Sequence, residues 1–355
     1  MISSHQYEKK LPAMMTVDTK LILIEGIPGS GKSTLAQFIT HTLTSRGIAC
    51  QWWYEEEKDH PLYIFHDAKA LQQTIEALSD GRYRQIIEAV LGKWQTFTQE
   101  LQSSKSVVIL DGCLFGYLTW SLFPLDIPAE EIQTYLSQVE QSIQCLKPCL
   151  IYLYQQDIPH ALEKICERRG GNTHSRLIEQ TTQSPYGERR KLQGFDGMVT
   201  YWKAFRSLIE AAFSRFDTSK FSLENSMQNW SLYERNVLKF LGIPEQEQVT
   251  IAPSQLQQFV GTYSFEEDGS LQECRILLEK EYLIVDGMPQ VWPRTRLIPR
   301  LHNLFAIESL PFQVTFEENI YGVVSGMRAT GPELLFGAVA RSFVRVAPPH
   351  ETFKD

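Results

Sequence analysis

The chain has 355 residues, more than one ordinary hydrophobic core holds, so we expect two domains. Its hydrophobic content of 43% and charged content of 21% are typical of a soluble globular protein. Its six cysteines form no C-x-x-C pair, and we expect them to be buried free thiols in a reducing cytoplasm. A formal net charge of −8 argues against a general binder of nucleic acid or anionic membranes, and no apolar run is long enough to span a bilayer.

The N-terminal residues lead into a phosphate-binding pattern. Residues 1–19 contain no apolar stretch of signal-peptide type, and we expect a short disordered leader. An apolar run at 21–24 predicts a strand buried on both faces, and apolar residues at helical spacing follow after Lys32. Between them the sequence GIPGSGKS fits G-x-x-x-x-G-K-[ST] at every fixed position.

This loop predicts a binding site for a nucleoside triphosphate. Its backbone N–H groups and those at the start of the following helix bind phosphate oxygens. Lys32 is expected to reach the β- and γ-phosphates and to act in catalysis, and the Ser33 hydroxyl to ligate Mg²⁺. We assign the binding of ATP to Gly26, Pro28, Gly29, Ser30, Gly31, Lys32, Ser33 and Thr34.

The remaining pattern divides the chain into two domains. Further strands at 48–54, 106–110, 149–154 and 216–223 alternate with helical segments, which predicts a parallel α/β sheet over residues 20–244. We expect the strand order 2-3-1-4-5. Residues 245–252 are predicted to form a linker with little to bury, so residues up to Ile243 are expected to fold alone. Short alternating segments over residues 253–348 predict an antiparallel β-barrel or sandwich, called the β domain below.

Carboxylates follow two of the predicted strands. Asp111 ends a buried strand beside the phosphate loop, where an acidic side chain holds Mg²⁺ directly or through water. Glu55, Glu56 and Glu57 follow the second strand, and one of them is expected to accept the proton from an attacking hydroxyl. Glu56 and Glu57 are our first choices, because Glu57 lies nearest the His60-Pro61 turn and Glu56 points to the opposite side of an extended chain.

Arginines follow the fourth strand. Six basic residues in this acidic protein surround a pair of glycines: Arg168, Arg169, Arg176, Arg189, Arg190 and Lys191. They predict a lid that closes over the site and neutralises charge on the transferred phosphoryl group. Arg168 and Arg169, at the end of a predicted helix, are the preferred catalytic arginines.

These motifs, in this order, resemble the nucleoside and nucleotide kinase group of P-loop proteins. The resemblance covers about the first 240 residues and rests on GIPGSGKST, the glutamates after strand two, Asp111, and ALEKICERRGG. It implies a catalytic base among Glu55 to Glu57 and lid arginines at Arg168 and Arg169. The chain is closer to poorly characterised bacterial P-loop proteins that carry YEE…HP. Nucleoside kinases carry Asp-Arg or Glu-Arg-Ser after the third strand, whereas this chain has Asp111-Gly112-Cys113. The resemblance therefore does not identify a nucleoside as the phosphoryl acceptor.

The β domain carries a second resemblance. LQQFVGTYSF and LPFQVTF are similar to the lipocalin-like β domains appended to some bacterial serine hydrolases. This part of the chain is expected to supply a homodimer contact or one wall of the acceptor site. The sequence thus predicts an ATP- and Mg²⁺-dependent kinase acting on a small-molecule acceptor. The alternative is a P-loop ATPase switch whose partner is recognised by the β domain.

Overall fold

The computed structural model describes residues 18–245, 250–267, 269–335, 337–338 and 341–346. Residues 1–17 of the predicted leader, 246–249 of the linker and 268, 336, 339–340 and 347–348 of the β domain lie outside these ranges. The N-terminal half contains β1 (Leu21–Glu25), α1 (Lys32–Ser45), β2 (Cys50–Trp53), α2 (Ala68–Ser79), α3 (Tyr83–Ser103), β3 (Val107–Asp111), α4 (Leu118–Leu122), α5 (Ala129–Ile143), β4 (Cys149–Tyr154), α6 (Ile158–Arg169), α7 (Thr173–Thr182), α8 (Pro185–Arg189), α9 (Gly194–Arg215), β5 (Ser219–Glu224) and α10 (Trp230–Phe240). The C-terminal half contains α11 (Pro253–Leu256), β6 (Gly261–Glu267), β7 (Ser270–Glu279), β8 (Tyr282–Asp286), β9 (Thr295–Pro299), β10 (Leu304–Ile307), β11 (Gln313–Glu318), β12 (Val324–Thr330), β13 (Glu333–Leu334), β14 (Gly337–Ala338) and β15 (Arg341–Arg345).

The first half is a parallel sheet with helices on both faces. Its five strands lie in the order β2-β3-β1-β4-β5, which confirms the predicted order. Every residue of β1 and β3 is buried, because helices cover the sheet on both sides. Helix α1 packs its apolar face, including Leu35 and Ile39, against one side. Helices α3, α5 and α9 contribute Trp94, Tyr135 and Trp202 to the other.

Two segments differ from the sequence-based expectation. The basic stretch after α6, for which no helix is predicted from the sequence, contains α7 and α8. Strand β5 begins at Ser219 rather than at residue 216, since the Phe216 N–H still donates to Ala212 O at 3.1 Å and ends helix α9. Strand pairing places Ile24 opposite both Asp111 and Ile151. The carboxyl ends of β1, β3 and β4 therefore meet at one edge of the sheet.

The second half is a closed antiparallel barrel, in the strand order β10-β11-β12-β15-β6-β7-β8-β9. Its interior is filled by side chains. The Phe316 ring lies 4.4 Å from that of Phe259 and 5.5 Å from that of Phe305, and all three are completely buried. An eight-stranded barrel is just wide enough for such packing. We therefore describe this barrel as a packed core, although the sequence resembles that of lipocalin-like domains.

The barrel packs directly against the phosphate-binding half. Tyr54, which follows β2, is 2% exposed and belongs to the apolar cluster of the barrel. The Gln37 side-chain amide on α1 donates to Ile307 O and Leu310 O, both at 2.8 Å. The two halves therefore share an interface in addition to the linker, and the independent folding of residues up to Ile243 stays a prediction. Among the residues that the structure describes, no helix has the length and apolar character to cross a membrane.

Candidate functional site

The phosphate loop connects the buried strand β1 to the start of α1. Gly31, the residue before the helix, has a φ of 92°, a conformation that favours glycine, and no side chain caps the helix. The first-turn N–H groups of α1 have no acceptor within the helix. Pro28 is half-buried and Gly29 is exposed at the outer side of the loop. This arrangement leaves backbone donors and the positive end of a helix for an anion.

Lys32 and Glu55 meet beside Gly112. A methyl group on Gly112 would lie 2.9 Å from Lys32 Cε and 2.6 Å from Glu55 Oε2. Lys32 is only 8% exposed, yet its ammonium forms no ion pair with any residue that the structure describes. Its charge acts on the buried carboxyls of Asp111 and Glu25 without an ion pair, so the ammonium can still bind an anionic ligand. The place where Lys32 and Glu55 approach each other is therefore suited to a phosphate and an acceptor group.

Asp111 lies in the same cluster at the end of β3. It is fully buried, and neither carboxylate oxygen has a hydrogen-bond partner among the described residues. Burial and the nearby charge of Glu55 raise its pKa to about 7, while Lys32 and the Ser33 hydroxyl oppose the rise. Two unpartnered carboxylate oxygens beside a serine hydroxyl fit a hard cation such as Mg²⁺, which takes oxygen ligands and keeps several waters.

Replacing Asp111 by asparagine is expected to remove Mg²⁺-dependent turnover of ATP. Metal stabilisation of transition-state charge contributes several kcal/mol, so we expect a loss of roughly a hundredfold or more. Part of the nucleotide affinity is expected to remain, because Lys32 and the loop amides are intact. Calorimetric titration of ATP with and without Mg²⁺ measures both effects. Ser33→Ala is the companion variant, and an Asp111→Asn protein with unchanged Mg²⁺ dependence would contradict the assignment.

The three glutamates after β2 face different neighbours because the chain turns here instead of staying extended. The Glu57 N–H donates to Tyr54 O at 3.0 Å, which closes the turn. Glu55 approaches Lys32. Glu56 is exposed to solvent on one side. Desolvation by the surrounding protein and the negative charge of Glu55 raise the pKa of Glu56, and the positive charges of Arg169 and Arg176 oppose the rise. Sequence reasoning preferred Glu56 over Glu55 because it assumed an extended chain.

The side chain of Glu57 is bound to the backbone of its own turn. Its Oε1 accepts the Tyr54 N–H at 3.0 Å, and the residue is 6% exposed. Burial raises the pKa of this carboxyl to about 7, and the bond from the Tyr54 N–H opposes the rise. Its backbone forms an isolated bridge with Leu334 of the second half. Glu57 thus fixes the turn that presents Glu55.

The predicted lid arginines divide into two groups. Arg168 and Arg169 end α6, a helix that reaches the phosphate loop through Ile165, whose Cβ would lie 3.2 Å from a methyl group on Gly29. Arg189 and Arg190, by contrast, both form ion pairs with Asp126. Of these two groups, the first lies near the phosphate loop. Arg176, on α7, belongs to neither group, and its charge lowers the pKa of Glu56.

His60 is buried beneath the glutamate turn. Its Nδ1 accepts the Leu62 N–H at 3.3 Å, and its Nε2 lies 3.3 Å from Cys113 Sγ. The ring stacks on Tyr63 at 4.3 Å, and the Tyr63 hydroxyl donates to the Glu55 carbonyl oxygen. Burial lowers the pKa of His60 to about 3. We therefore place His60 in the support of the Glu55 turn.

The stability of the protein is expected to fall in acid because of His60. An unfolded histidine takes up a proton near pH 6.5, whereas the folded protein resists protonation of His60 down to about pH 3. The unfolded state binds more protons across this window, so the unfolding free energy falls as the pH drops, by about 1.4 kcal/mol per pH unit for this group. Urea unfolding of wild type and His60→Gln between pH 7 and pH 4.5 measures the difference. Parallel pH profiles would contradict it.

Several site residues were missed by sequence reasoning. Glu25 is fully buried and accepts the N–H groups of Leu114 and Phe115 at 2.7 and 3.0 Å, which orders the loop after Asp111. Asn225 follows β5 and donates to the carbonyl of Ser30. The only available signal was the position of these polar residues at the carboxyl ends of predicted strands.

A cleft of ≈ 490 Å³ lies elsewhere, between α5, α8 and α9. Its lining includes Phe123, Asp126, Tyr186 and Arg190, and it contains none of the phosphate-loop residues. The candidate site is therefore defined by its side chains and backbone donors rather than by this cavity.

Comparisons with known proteins give limited matches. The family model described as Nephrocystin 3, N-terminal, matches residues 2–112, which include the phosphate loop and Asp111. Among solved structures, the chain is similar to the YorR protein of Bacillus subtilis, determined in complex with phosphorylated GDP. That likeness has a TM-score of 0.35 and 12% sequence identity, and covers 62% of this chain and 95% of that chain. No curated protein matches the sequence.

Proposed function

We propose that this protein is an ATP- and Mg²⁺-dependent phosphotransferase that acts on a hydroxyl group of a small-molecule acceptor. The observation that carries the proposal is the convergence of Lys32 and Glu55 beside Gly112, with the unpartnered carboxylate of Asp111 in the same cluster. A phosphate-binding cation, a metal-binding carboxylate and a free carboxylate are the groups that phosphoryl transfer to a hydroxyl requires.

Each group has a distinct part in the proposed reaction. Lys32 and the amides at the start of α1 bind and orient the β- and γ-phosphates. Glu55 accepts the proton of the acceptor hydroxyl as its oxygen forms a bond to the γ-phosphorus and the bond to the β–γ bridging oxygen breaks, releasing ADP. Mg²⁺, which Ser33 and Asp111 would hold, supplies neutralisation of charge on the phosphates.

Glu56, Arg168 and Arg169 complete the proposed site. Arg169 lowers the pKa of Glu56 against the effect of burial, so charges on α6 and on the glutamate turn influence each other. An arginine there can stabilise the three oxygens of the transferred group. Glu57 belongs to the support of the turn rather than to the reacting groups.

A second candidate is an ATPase switch with a partner bound by the barrel. The observation that favours it is the direct contact between α1 and the barrel, in which Thr34 Oγ1 lies 2.7 Å from Ser309 Oγ. A change at the phosphate loop therefore reaches the barrel without passing through the linker.

Labelled ATP distinguishes the two candidates. The protein, Mg²⁺ and γ-labelled ATP are incubated with a low-molecular-weight metabolite extract, and Lys32→Ala serves as the matched control. A labelled small product that the control does not form supports the phosphotransferase. Release of labelled phosphate that rises only on addition of a protein fraction supports the switch. Absence of both would overturn the proposed function.

A further inference from the structure

The barrel contacts the first turn of the helix that follows the phosphate loop. Ser309, in the turn between β10 and β11, shares a hydrogen bond with Thr34, one of the predicted nucleotide-binding residues. Two carbonyls of the same turn accept the buried amide of Gln37 one turn later on α1. These contacts fix the turn of the barrel at the phosphate-binding end of α1.

The same part of the barrel contacts the end of α6. The Arg168 and Arg169 guanidinium carbons lie 5.1 and 5.5 Å from the centre of the Trp292 ring. Arg168 Nη2 also lies 3.5 Å from Glu308 Oε2, and Glu308 is held from its other oxygen by Arg296 at 3.5 Å. The barrel thus contacts both arginines of the lid helix through one tryptophan and one glutamate.

These contacts differ in what they leave available. A guanidinium that lies over an aromatic ring is attracted to it without using N–H donors in a hydrogen bond, so these donors stay available to a phosphate. Arg168 donates one hydrogen bond to Glu308. Arg169 donates no hydrogen bond to any residue that the structure describes, and its charge lowers the pKa of Glu56 in the glutamate turn. Arg168 is therefore bound to the barrel by Glu308, whereas Arg169 packs on Trp292 and keeps its N–H donors for a ligand.

We propose that the barrel completes the phosphotransfer site. Trp292 and Glu308 are positioning residues that hold the end of α6, and Arg169 is the arginine that contacts the transferred phosphoryl group. This inference rests on the proposed function, and it assigns the barrel a part in the reaction at the phosphate loop itself.

Substitutions at the contact test the proposal through Mg²⁺-dependent ATP turnover with water as acceptor. Trp292→Ala is expected to lower kcat roughly tenfold, about 1.4 kcal/mol, with little change in KM for ATP. Trp292→Phe keeps an aromatic face and is expected to restore most of the turnover. Arg169→Lys keeps the charge but loses the planar donors, and a loss of roughly a hundredfold or more is expected.

The anchoring role of Arg168 is tested by a double-mutant cycle. Glu308→Gln and Arg168→Ala each remove the same contact, so their combined effect on kcat is expected to be smaller than the sum of the single effects. Tyr321→Ala is the control, because Tyr321 is an aromatic residue of the same barrel that is 82% exposed. It is expected to leave turnover unchanged. Additive effects at Arg168 and Glu308 would overturn the anchoring role.

A second measurement does not depend on turnover. Hydrogen exchange of the nucleotide-free protein is expected to accelerate at residues 166–171 in Trp292→Ala and not in Tyr321→Ala. Unchanged exchange there, or Trp292→Phe turnover as low as that of Trp292→Ala, would overturn the inference. If wild type transfers no phosphoryl group to any acceptor or to water, the proposed function fails, and the exchange result still decides whether Trp292 holds α6.

Discussion

Lys32→Ala is expected to abolish turnover and to weaken ATP binding by roughly tenfold to a hundredfold, the range of a charge-assisted hydrogen bond of about 1.5–3 kcal/mol. The structure gives the reason. Lys32 is 8% exposed, lies at the start of α1 beside the loop amides, and has no ion pair among the described residues. Its charge is therefore available to a phosphate.

Calorimetric titration of ATP and a turnover assay measure the two effects of Lys32→Ala. We also expect the nucleotide-free variant to unfold at a lower temperature than wild type, because the Lys32 charge acts on the buried carboxyls of Asp111 and Glu25 and its removal leaves them less compensated. Lys147→Ala is a matched control, since Lys147 is an exposed lysine paired with Asp18 at 2.8 Å. Unchanged ATP affinity together with unchanged turnover would reject the phosphate-loop assignment.

Glu55→Gln is expected to lower turnover by roughly a hundredfold or more while ATP affinity stays close to that of wild type. General-base catalysis contributes on this scale, and glutamine keeps the size of the side chain but loses its basicity. Glu55 Oε2 is the carboxylate oxygen of the turn that reaches the Lys32 side chain at Gly112. The proton of an acceptor hydroxyl bound at this point therefore has a nearby acceptor.

Glu56→Gln and Glu57→Gln are the matched comparisons within the same turn. Glu57→Gln is expected to keep full turnover, because the amide oxygen can still accept the Tyr54 N–H. Glu56→Gln is expected to have a smaller effect than Glu55→Gln, exerted through its interaction with Arg169. Single-turnover rates of phosphoryl transfer from ATP to the unphosphorylated acceptor, once the labelled-ATP experiment has identified it, separate the three variants. Full activity of Glu55→Gln with loss in Glu56→Gln would move the base to Glu56.

The barrel contacts each part of the site to which these predictions apply. Thr34, Gln37 and Arg168 each bond to barrel residues. In the glutamate turn, Glu56 O accepts the Leu335 N–H at 2.9 Å. The second half of the chain therefore contacts the start of α1, the end of α6 and the glutamate turn. Variants of the barrel near these points are expected to act on turnover, whereas variants elsewhere in the barrel are not.

The sequence by itself determined the parallel sheet, its strand order, the presence of an antiparallel β domain and the place of the phosphate loop, whereas closure of the β domain into a barrel was decided by the tertiary structure. These features follow from local patterns. Apolar runs such as 21–24 identify buried strands, and the glycine spacing with Lys32 and Ser33 is a contiguous motif. The position of Asp111 beside the loop followed from strand order, because parallel neighbouring strands end at the same edge of the sheet.

Only the tertiary structure decided which glutamate faces Lys32 and which residues of the barrel contact the site. The turn at Glu57 depends on a bridge to Leu334, and the Thr34–Ser309 bond joins residues 275 positions apart. Contacts over such separations arise from the packing of complete domains and leave no periodic or spacing signal in the chain. For the same reason Trp292 and Glu308 looked like ordinary barrel residues until the fold placed them against Arg168 and Arg169.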